Sequence, residues 1–435
     1  MTLQEFQGWG RNFSALSSII EPSLEDISHQ LHSAERGFLA SGLRRSYGDS
    51  SLNSGGLNIG SSRLKHWEFN EGQSTITVGA GLSIRELEEI TLARGHFPEV
   101  VPGTGFVTIG GAIAADIHGK SHHKTGSFSS IIKSMSVLYA DGNIRELTAA
   151  GETSEHFWAT VGGLGLTGMI LEATLILKKV AGDRVDVVEK RSKDLSGLLE
   201  DLKSADKNFE HTVAWVDLSG SFKGRGVVGM GNYSPTKKTS EIKKGTGINL
   251  PSFPNLNLIT PLTVRAFNEM WFRKPLKNRE AKLSGFMHPL DAIGSWNRIY
   301  GPHGFLQYQF AIPDGQEDFL FSVLARMKKI GGASFLGVLK RFGGQSQGYM
   351  SFPTPGWTLA LDFPTAVPEL AKTLNEIDQE LCARGGRVYL IKDSRLKSEY
   401  VEVMYPRIKE WRLIRDQMDP NRLWQSDQGR RLKLC

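Results

Sequence analysis

Three glycine-rich stretches crowd the first 170 residues and restrict what this chain can fold into: GLRRSYGD at Gly42–Asp49, PGTGFVTIGGAIAADIHGKSHH at Pro102–His123, and GLGLTG at Gly163–Gly168. The last matches G-x-G-x-x-G, which in nicotinamide enzymes follows a strand and opens a helix. Here the order is reversed, because a helical pattern precedes the glycines and the apolar run MILEATLIL follows them. A Rossmann crossover is therefore excluded despite the match. The other two stretches can turn successive backbone N–H groups toward a phosphate. Their glycines allow close approach of the backbone, and Ser46 and Thr104 add donors, without any P-loop lysine.

At 435 residues the chain exceeds the size at which one core stops growing, so two domains or a large insertion are expected. Cys382 and Cys435 are its only cysteines, which rules out a disulfide framework and a cysteine metal site. No run of about 18 apolar residues occurs, and Met1–Gly10 lacks the character of a signal peptide. A protein of the cytoplasm, or one held peripherally at the membrane, is the expectation. The net charge of +6 suits an anionic ligand or an anionic bilayer surface, and nucleic acid is not among the expected partners.

From Ser74 to Gly95 the pattern is strand, glycine turn, helix, with Ser83 and Glu86 forming an S-x-x-E capping box and Gly95 just past the helix end. Strands are expected at Ile132 to Ala140 and Ile170 to Lys178, with a helix at Ser154 to Val161 between them. The segment Tyr233 to Pro261 carries Lys237, Lys238, Lys243 and Lys244 among prolines and scattered Leu and Ile, and reads as a long loop, either a surface insertion or a lid. From Gly304 onward the order is strand (Phe305 to Ile312), helix (Gln316 to Ile330), strand (Ser334 to Lys340), strand (Trp357 to Phe363), helix (Pro368 to Ala383), strand (Arg387 to Ile391). That β-α-β-β-α-β order predicts a ferredoxin-like sheet. Alternation puts Gln307 and Gln309 on one face of the first strand and Leu306, Tyr308 and Phe310 on the other.

His118 and His122, four apart and followed by His123, invite a metal reading. It is set aside because Gly119 and Gly126 argue against a helix that would align them. His118 fits better as a hydrogen-bond donor at the edge of a cofactor.

Taken together, GLRRSYGDSSLNSGG, VPGTGFVTIGGAIAADIHGKSHHKTGSF and FWATVGGLGLTG resemble the vanillyl-alcohol oxidase type of FAD enzyme, and more narrowly its branch acting on lipid-linked ribose. The resemblance continues through MHPLDAIGSWNRIYGPHGFLQYQF, SFLGVLKRFG, SFPTPGWTLALDFP and GGRVYLIKDSR to MDPNRLWQSD, so it spans nearly the whole chain. It implies an α+β fold: a two-part FAD-binding domain from residues 1–182 and 387–435, and a central substrate domain, 183–386, whose ferredoxin-like antiparallel sheet roofs the flavin.

By the same resemblance, FAD contacts would come from Gly42, Arg45, Ser46, Tyr47, Gly48, Pro102, Gly103, Thr104, Val107, Gly110, Gly111, Ala112, Ala115, His118, Gly119, Gly165, Gly168, Ile170 and Tyr389. Substrate contacts would come from Trp215, Asn297, Gln307, Gln309, Lys340, Phe342, Ala360 and Lys392, with Lys392 and His118 the catalytic pair. No metal is implied. Arg45 stands where flavin-linked relatives carry a histidine, so the FAD is expected to be non-covalent. Ala360 replaces a cysteine and Met287 a tyrosine of familiar members.

The reaction implied is oxidation of the ribose 2′-hydroxyl of a polyprenylphosphoryl-β-D-ribose to a 2′-keto sugar. A separate NAD(P)H-dependent reductase would complete epimerisation to the arabinose compound for cell-wall polysaccharide. Two alternatives stand beside it: an alditol or aldonolactone oxidase of the same fold, and a non-catalytic binder of prenyl phosphates. Lys392 is the leading candidate for an electrostatic role at the cofactor. In a strand through RVYLIK it would share the face of Val388 and Leu390, opposite Tyr389 and Ile391.

Overall fold

The computed structural model describes residues 3–23, 36–219, 223–237, 248–250, 259–332 and 334–435. Most of the Tyr233 to Pro261 loop, including Lys238, Lys243, Lys244, Phe253, Leu256 and Leu258, lies outside them.

The N-terminal part holds two larger sheets, besides the short pair of His96–Phe97 with Lys178–Lys179. One orders Leu3–Gln7, Ser14–Ile20, Leu57–Gly60 and Phe38–Ser41; the other orders Trp67–Asn70, Thr75–Gly79, Met169–Ile176, Ile132–Leu138 and Ile144–Thr148. The glycine turn after Thr75–Gly79 leads into helix Ile84–Leu92, whose Ser83/Glu86 capping box forms on both sides, and Gly95 takes φ +67°. Helix Ser154–Thr160 precedes GLGLTG and strand Met169–Ile176 follows it, the order that excludes a dinucleotide crossover. The chain end packs back onto this part. Trp411 Nε1 donates to the Ala159 carbonyl at 2.9 Å, and Trp424 bridges to Phe38.

An eight-stranded antiparallel sheet covers these elements. Its order is Asn278–Lys282, Arg184–Ser192, Gly226–Tyr233, His211–Val216, Gly337–Phe342, Gly356–Pro364, Phe305–Pro313, Arg387–Val388. The last four strands, with helices Asp318–Lys329 and Leu370–Ala383, are the ferredoxin-like unit expected from sequence. Numbered along the chain they lie 2-3-1-4. The first four strands, with helices Leu195–Asn208 and Pro261–Arg273, repeat the same topology in mirror order, 4-1-3-2, and the two units join edge to edge through His211–Val216 and Gly337–Phe342. Sequence reading did not find this second unit. Its crossover helix Pro261–Arg273 buries only Val264 and Asn268 and leaves Leu262 and Met270 exposed, so its apolar residues do not trace a core-facing stripe.

The final strand is shorter than expected and ends at Val388. Beyond it the Lys392 and Asp393 amides both donate to the Tyr389 carbonyl and close a turn. Lys392 therefore sits on a turn and not on a strand, and strict alternation no longer assigns its face. Val388 and Leu390 enter the core, whereas Lys392 faces the interior cavity together with Tyr389 and Ile391, the reverse of the sequence expectation. The sheet also takes in Arg387–Val388, past the boundary drawn at residue 386.

Candidate active site

Between the glycine loops and the inner face of the eight-stranded sheet lies a cavity of about 830 Å³. The sheet points Tyr308 and Phe310 into the core and Gln307 and Gln309 into the cavity, as the alternation predicts. From the N-terminal part the wall takes Gly42, Arg45, Ser46, Tyr47, Pro102, Gly103, Thr104, Val107, Gly110, Gly111, Ala115, His118, Gly119, Gly165, Gly168 and Ile170; from the sheet and the turn after it, Trp215, Gln307, Gln309, Lys340, Ala360, Tyr389 and Lys392.

Four expected residues stand off this wall. A Cβ on Gly48 would lie 2.1 Å from the Asp393 carbonyl oxygen, so that glycine serves a backbone crossing. Ala112 is fully buried inside helix Ile109–Ala114. Asn297 turns away to donate to the Trp9 carbonyl at 2.9 Å, and Phe342 meets the imidazole of His118 edge-on, 4.8 Å between ring centres.

The cradle suits a large phosphate-bearing cofactor on two counts. A Cβ at Gly103 or Gly165 would meet nothing within 4 Å and would stand in the cavity, and Gly165 also holds φ +76°. The buried Ser50 and Ser51 hydroxyls, Arg45 Nε and His118 Nδ1 have no hydrogen-bond partner among the described residues, a costly state that a polar ligand relieves. Ser50 and Ser51 were missed by sequence reading, although they continue directly from GLRRSYGD. The Arg45 guanidinium stacks over the Trp9 ring at 4.1 Å, so this side chain packs against an aromatic face at the cavity wall.

At the sheet end the polar groups form one connected set. Gln309 Nε2 donates to Thr358 Oγ1 at 3.2 Å, whose hydroxyl donates onward to the Phe310 carbonyl at 2.8 Å. The other amide proton points at His118 Nε2, 3.0 Å away, which must then accept, leaving the proton on Nδ1. Burial, followed by the nearby positive charges of Lys340, His122 and Lys392, pushes His118 well below its ordinary pKa, so the ring is a neutral donor. Gln307 donates to Asp362 Oδ1 at 2.5 Å, and Tyr300 bonds the other oxygen at 3.4 Å. Burial raises the Asp362 carboxyl and lowers the Lys392 ammonium, while the attraction between the two opposes both shifts. Asp362 was missed because its strand, GWTLALDFP, reads as apolar core.

Three lysines gather here. Burial brings Lys340 down to about 8, with no ion-pair partner among the described residues. Lys120, another missed residue, is brought to about 7 by burial and by Lys340, and it donates to the Met287 carbonyl at 2.7 Å. The His118 and His122 rings stand 6.5 Å apart, and among the described residues no group of three His, Cys, Asp or Glu could hold a metal ion. Segment His122–Thr125 is a short helix, contrary to the loop expected, and His118 precedes it.

Comparison with known proteins fits this geometry. Residues 21–148 match the FAD binding domain family. The chain is 37% identical over its whole length, and over 98% of the relative's, to the decaprenylphosphoryl-β-D-ribose oxidase of Mycolicibacterium smegmatis. It is 34% identical, over 81% of its length, to the whole of an uncharacterised Streptomyces coelicolor protein. A third of the chain is 29% identical to an FAD-linked oxidoreductase of Aspergillus ruber. With a cofactor cradle in the matched region and a full-length relative of this identity, the chain belongs to the decaprenylphosphoryl-β-D-ribose oxidase family of FAD-dependent oxidoreductases.

Proposed function

We propose that the protein oxidises the 2′-hydroxyl of a polyprenylphosphoryl-β-D-ribose to the 2′-keto sugar, using non-covalently held FAD. The observation that carries this reading is the ammonium of Lys340, which opens into the cavity beside Lys392, Gln307, Gln309 and His118 and has no carboxylate partner among the described residues. A cation in that state favours an anionic substrate, and the neighbouring amides and imidazole offer the directed hydrogen bonds a sugar ring requires. Bound FAD supplies the two-electron acceptor for the alcohol carbon. The residues that would hold it are Gly42, Ser46, Gly103, Thr104, Gly110, Gly165 and Tyr389.

Lys392 and the two glutamines orient the sugar hydroxyl, and the Lys392 ammonium offsets the negative charge that accumulates as the alcohol is oxidised. His118 donates from Nδ1 while Gln309 fixes its tautomer. Asp362, bonded to Gln307 and Tyr300, anchors that glutamine and keeps part of the Lys392 population protonated.

The keto sugar would then pass to a separate NAD(P)H-dependent reductase, completing epimerisation to the arabinose compound. No helix among the described residues is long and apolar enough to cross a membrane, so access to a lipid-borne substrate would come from peripheral association, aided by the basic residues around 233–261. Incubating purified protein with polyprenylphosphoryl ribose and an electron-accepting dye should yield a product two hydrogen atoms lighter. Turnover of soluble alditols alone would replace this reading with the alditol oxidase one.

A further inference from the structure

The inner face of the eight-stranded sheet carries a straight row of directly paired residues. Gln309 faces Ala360, Ala360 faces Val338, Val338 faces Trp215, and Trp215 faces Val227. The first residue is the polar anchor of His118; the four that follow are apolar, and all five line the cavity. Four strand spacings of about 4.8 Å carry the row roughly 19 Å away from Gln309. It crosses the seam between the two ferredoxin-like units, so the polar chemistry and the first half of the apolar track, Ala360 and Val338, belong to one unit, and the second half, Trp215 and Val227, to the other.

The far end of the row is built as an end. Val227 pairs with Arg191, whose guanidinium donates to the carbonyls of Phe272 at 2.6 Å and Lys274 at 2.5 Å and ties helix Pro261–Arg273 to the sheet edge. Lys274 lies over the Trp271 ring at 3.5 Å and pairs with Glu189 at 3.6 Å, forming a charged rim. Midway, the Trp215 indole is pinned by its N–H to the Phe335 carbonyl at 3.0 Å, so the aromatic wall is fixed in place.

Beside the row stands Gly229, between Val213 and Glu189. A Cβ there would meet only Val213, at 3.8 Å, which is ordinary contact, so neither packing nor backbone conformation demands glycine. What the missing side chain provides is width.

We propose that this cross-strand row is the track for the prenyl chain of the substrate, with Gly229 setting the length and bulk of chain admitted. The inference rests on the lipid-linked substrate of the proposed function and adds the path of the lipid. Apolar walls about 14 Å long, the three strand spacings from Ala360 to Val227, would remove about two to three isoprene units from water, which favours long chains over short ones.

The test compares ribosyl phosphates carrying a single isoprene unit and a long polyprenyl chain. Wild type should oxidise both, with the higher kcat/KM on the long chain. Gly229→Leu should keep its FAD and its rate on the single-isoprene substrate while kcat/KM on the long chain falls about ten- to hundredfold, the scale of one overpacked side chain. Quenching of tryptophan fluorescence by long-chain polyprenyl phosphate should weaken in parallel. Equal effects on both substrates, or none on either, would overturn the track. Should Gly229→Leu fail to accumulate, Val213→Phe on the adjoining strand is expected to give the same selective loss, and its absence counts equally against the proposal. A wild type that oxidises neither substrate would remove the proposed function itself, and the track with it.

Discussion

The ammonium of Lys392 lies 3.8 Å from the centre of the Tyr47 ring, so a residue just beyond the last strand of the sheet meets the first glycine-rich loop across the cavity. Tyr47 is itself held by backbone bonds, accepting from the Gly10 amide and donating to the Ile391 carbonyl. Cation–π contact and the Asp362 charge together keep a cation in a place where burial disfavours it.

Lys392→Ala should fold, stay yellow and bind FAD, yet reduce its flavin with substrate about 10² to 10³ times more slowly, the usual effect of losing one preorganised electrostatic contact. Lys392→Arg should not restore the rate, because a planar guanidinium cannot occupy the position of a compact ammonium over the ring. Stopped-flow absorbance under anaerobic conditions measures both.

Acid precipitation should release the flavin into the supernatant. Arg45, in the first glycine loop, stacks on Trp9 at the cavity wall, and a guanidinium forms no bond to the flavin methyl. Flavin fluorescence retained in the washed pellet would contradict this.

Lys340 gives a pH signature. Its pKa falls from 10.5 in an unfolded chain to about 8 in the folded protein, so between those values the unfolded state binds more protons and stability rises with pH. Below about 8 the folded protein bears the cost of the buried charge. Lys340→Met should therefore raise Tm near pH 7, and the advantage should vanish by about pH 10.5. The same variant should weaken binding of a prenyl phosphate near pH 7 and show no further loss at higher pH, where the wild-type cation is gone. Thermal melts and fluorescence titrations across this range test the two signs.

Arg431, near the chain end, bonds both oxygens of Asp49 at 2.8 Å and Asp393 at 2.8 Å, and so ties the C-terminal helix to the first glycine loop and to the turn that carries Lys392. The two carboxylates are buried, and without it Asp49 would lose its ion pair while Asp393 would keep only the Arg395 and Leu396 amides on its other oxygen. Arg431→Met should cost about 3 kcal/mol of stability and lower FAD occupancy. Denaturant unfolding with an FAD assay measures the loss.

Much of this arrangement was legible in the sequence wherever local chemistry and tertiary need agree. The Ser83/Glu86 capping box, the reversed context of GLGLTG and the alternation of Gln307 and Gln309 each encode their geometry within a few residues. Other features depend on long-range pairing. The ferredoxin-like unit formed by residues 184–282 escaped notice because helix Pro261–Arg273 turns Thr263, Phe267 and Trp271 toward the cavity, blurring the amphipathic pattern. Lys392 was assigned to the wrong face because a turn, set by two amides converging on the Tyr389 carbonyl, interrupts an apparently continuous strand. Asp362 and Lys120 carried no motif, and their meaning appears only once Gln307 and Lys340 are beside them.

The visible spectrum during anaerobic titration with a polyprenylphosphoryl ribose tests the central claim most directly. Bleaching of the oxidised flavin bands in proportion to added substrate, with the 2′-keto sugar recovered, is the predicted result. Bands that persist at saturating substrate in FAD-loaded, folded protein would contradict it.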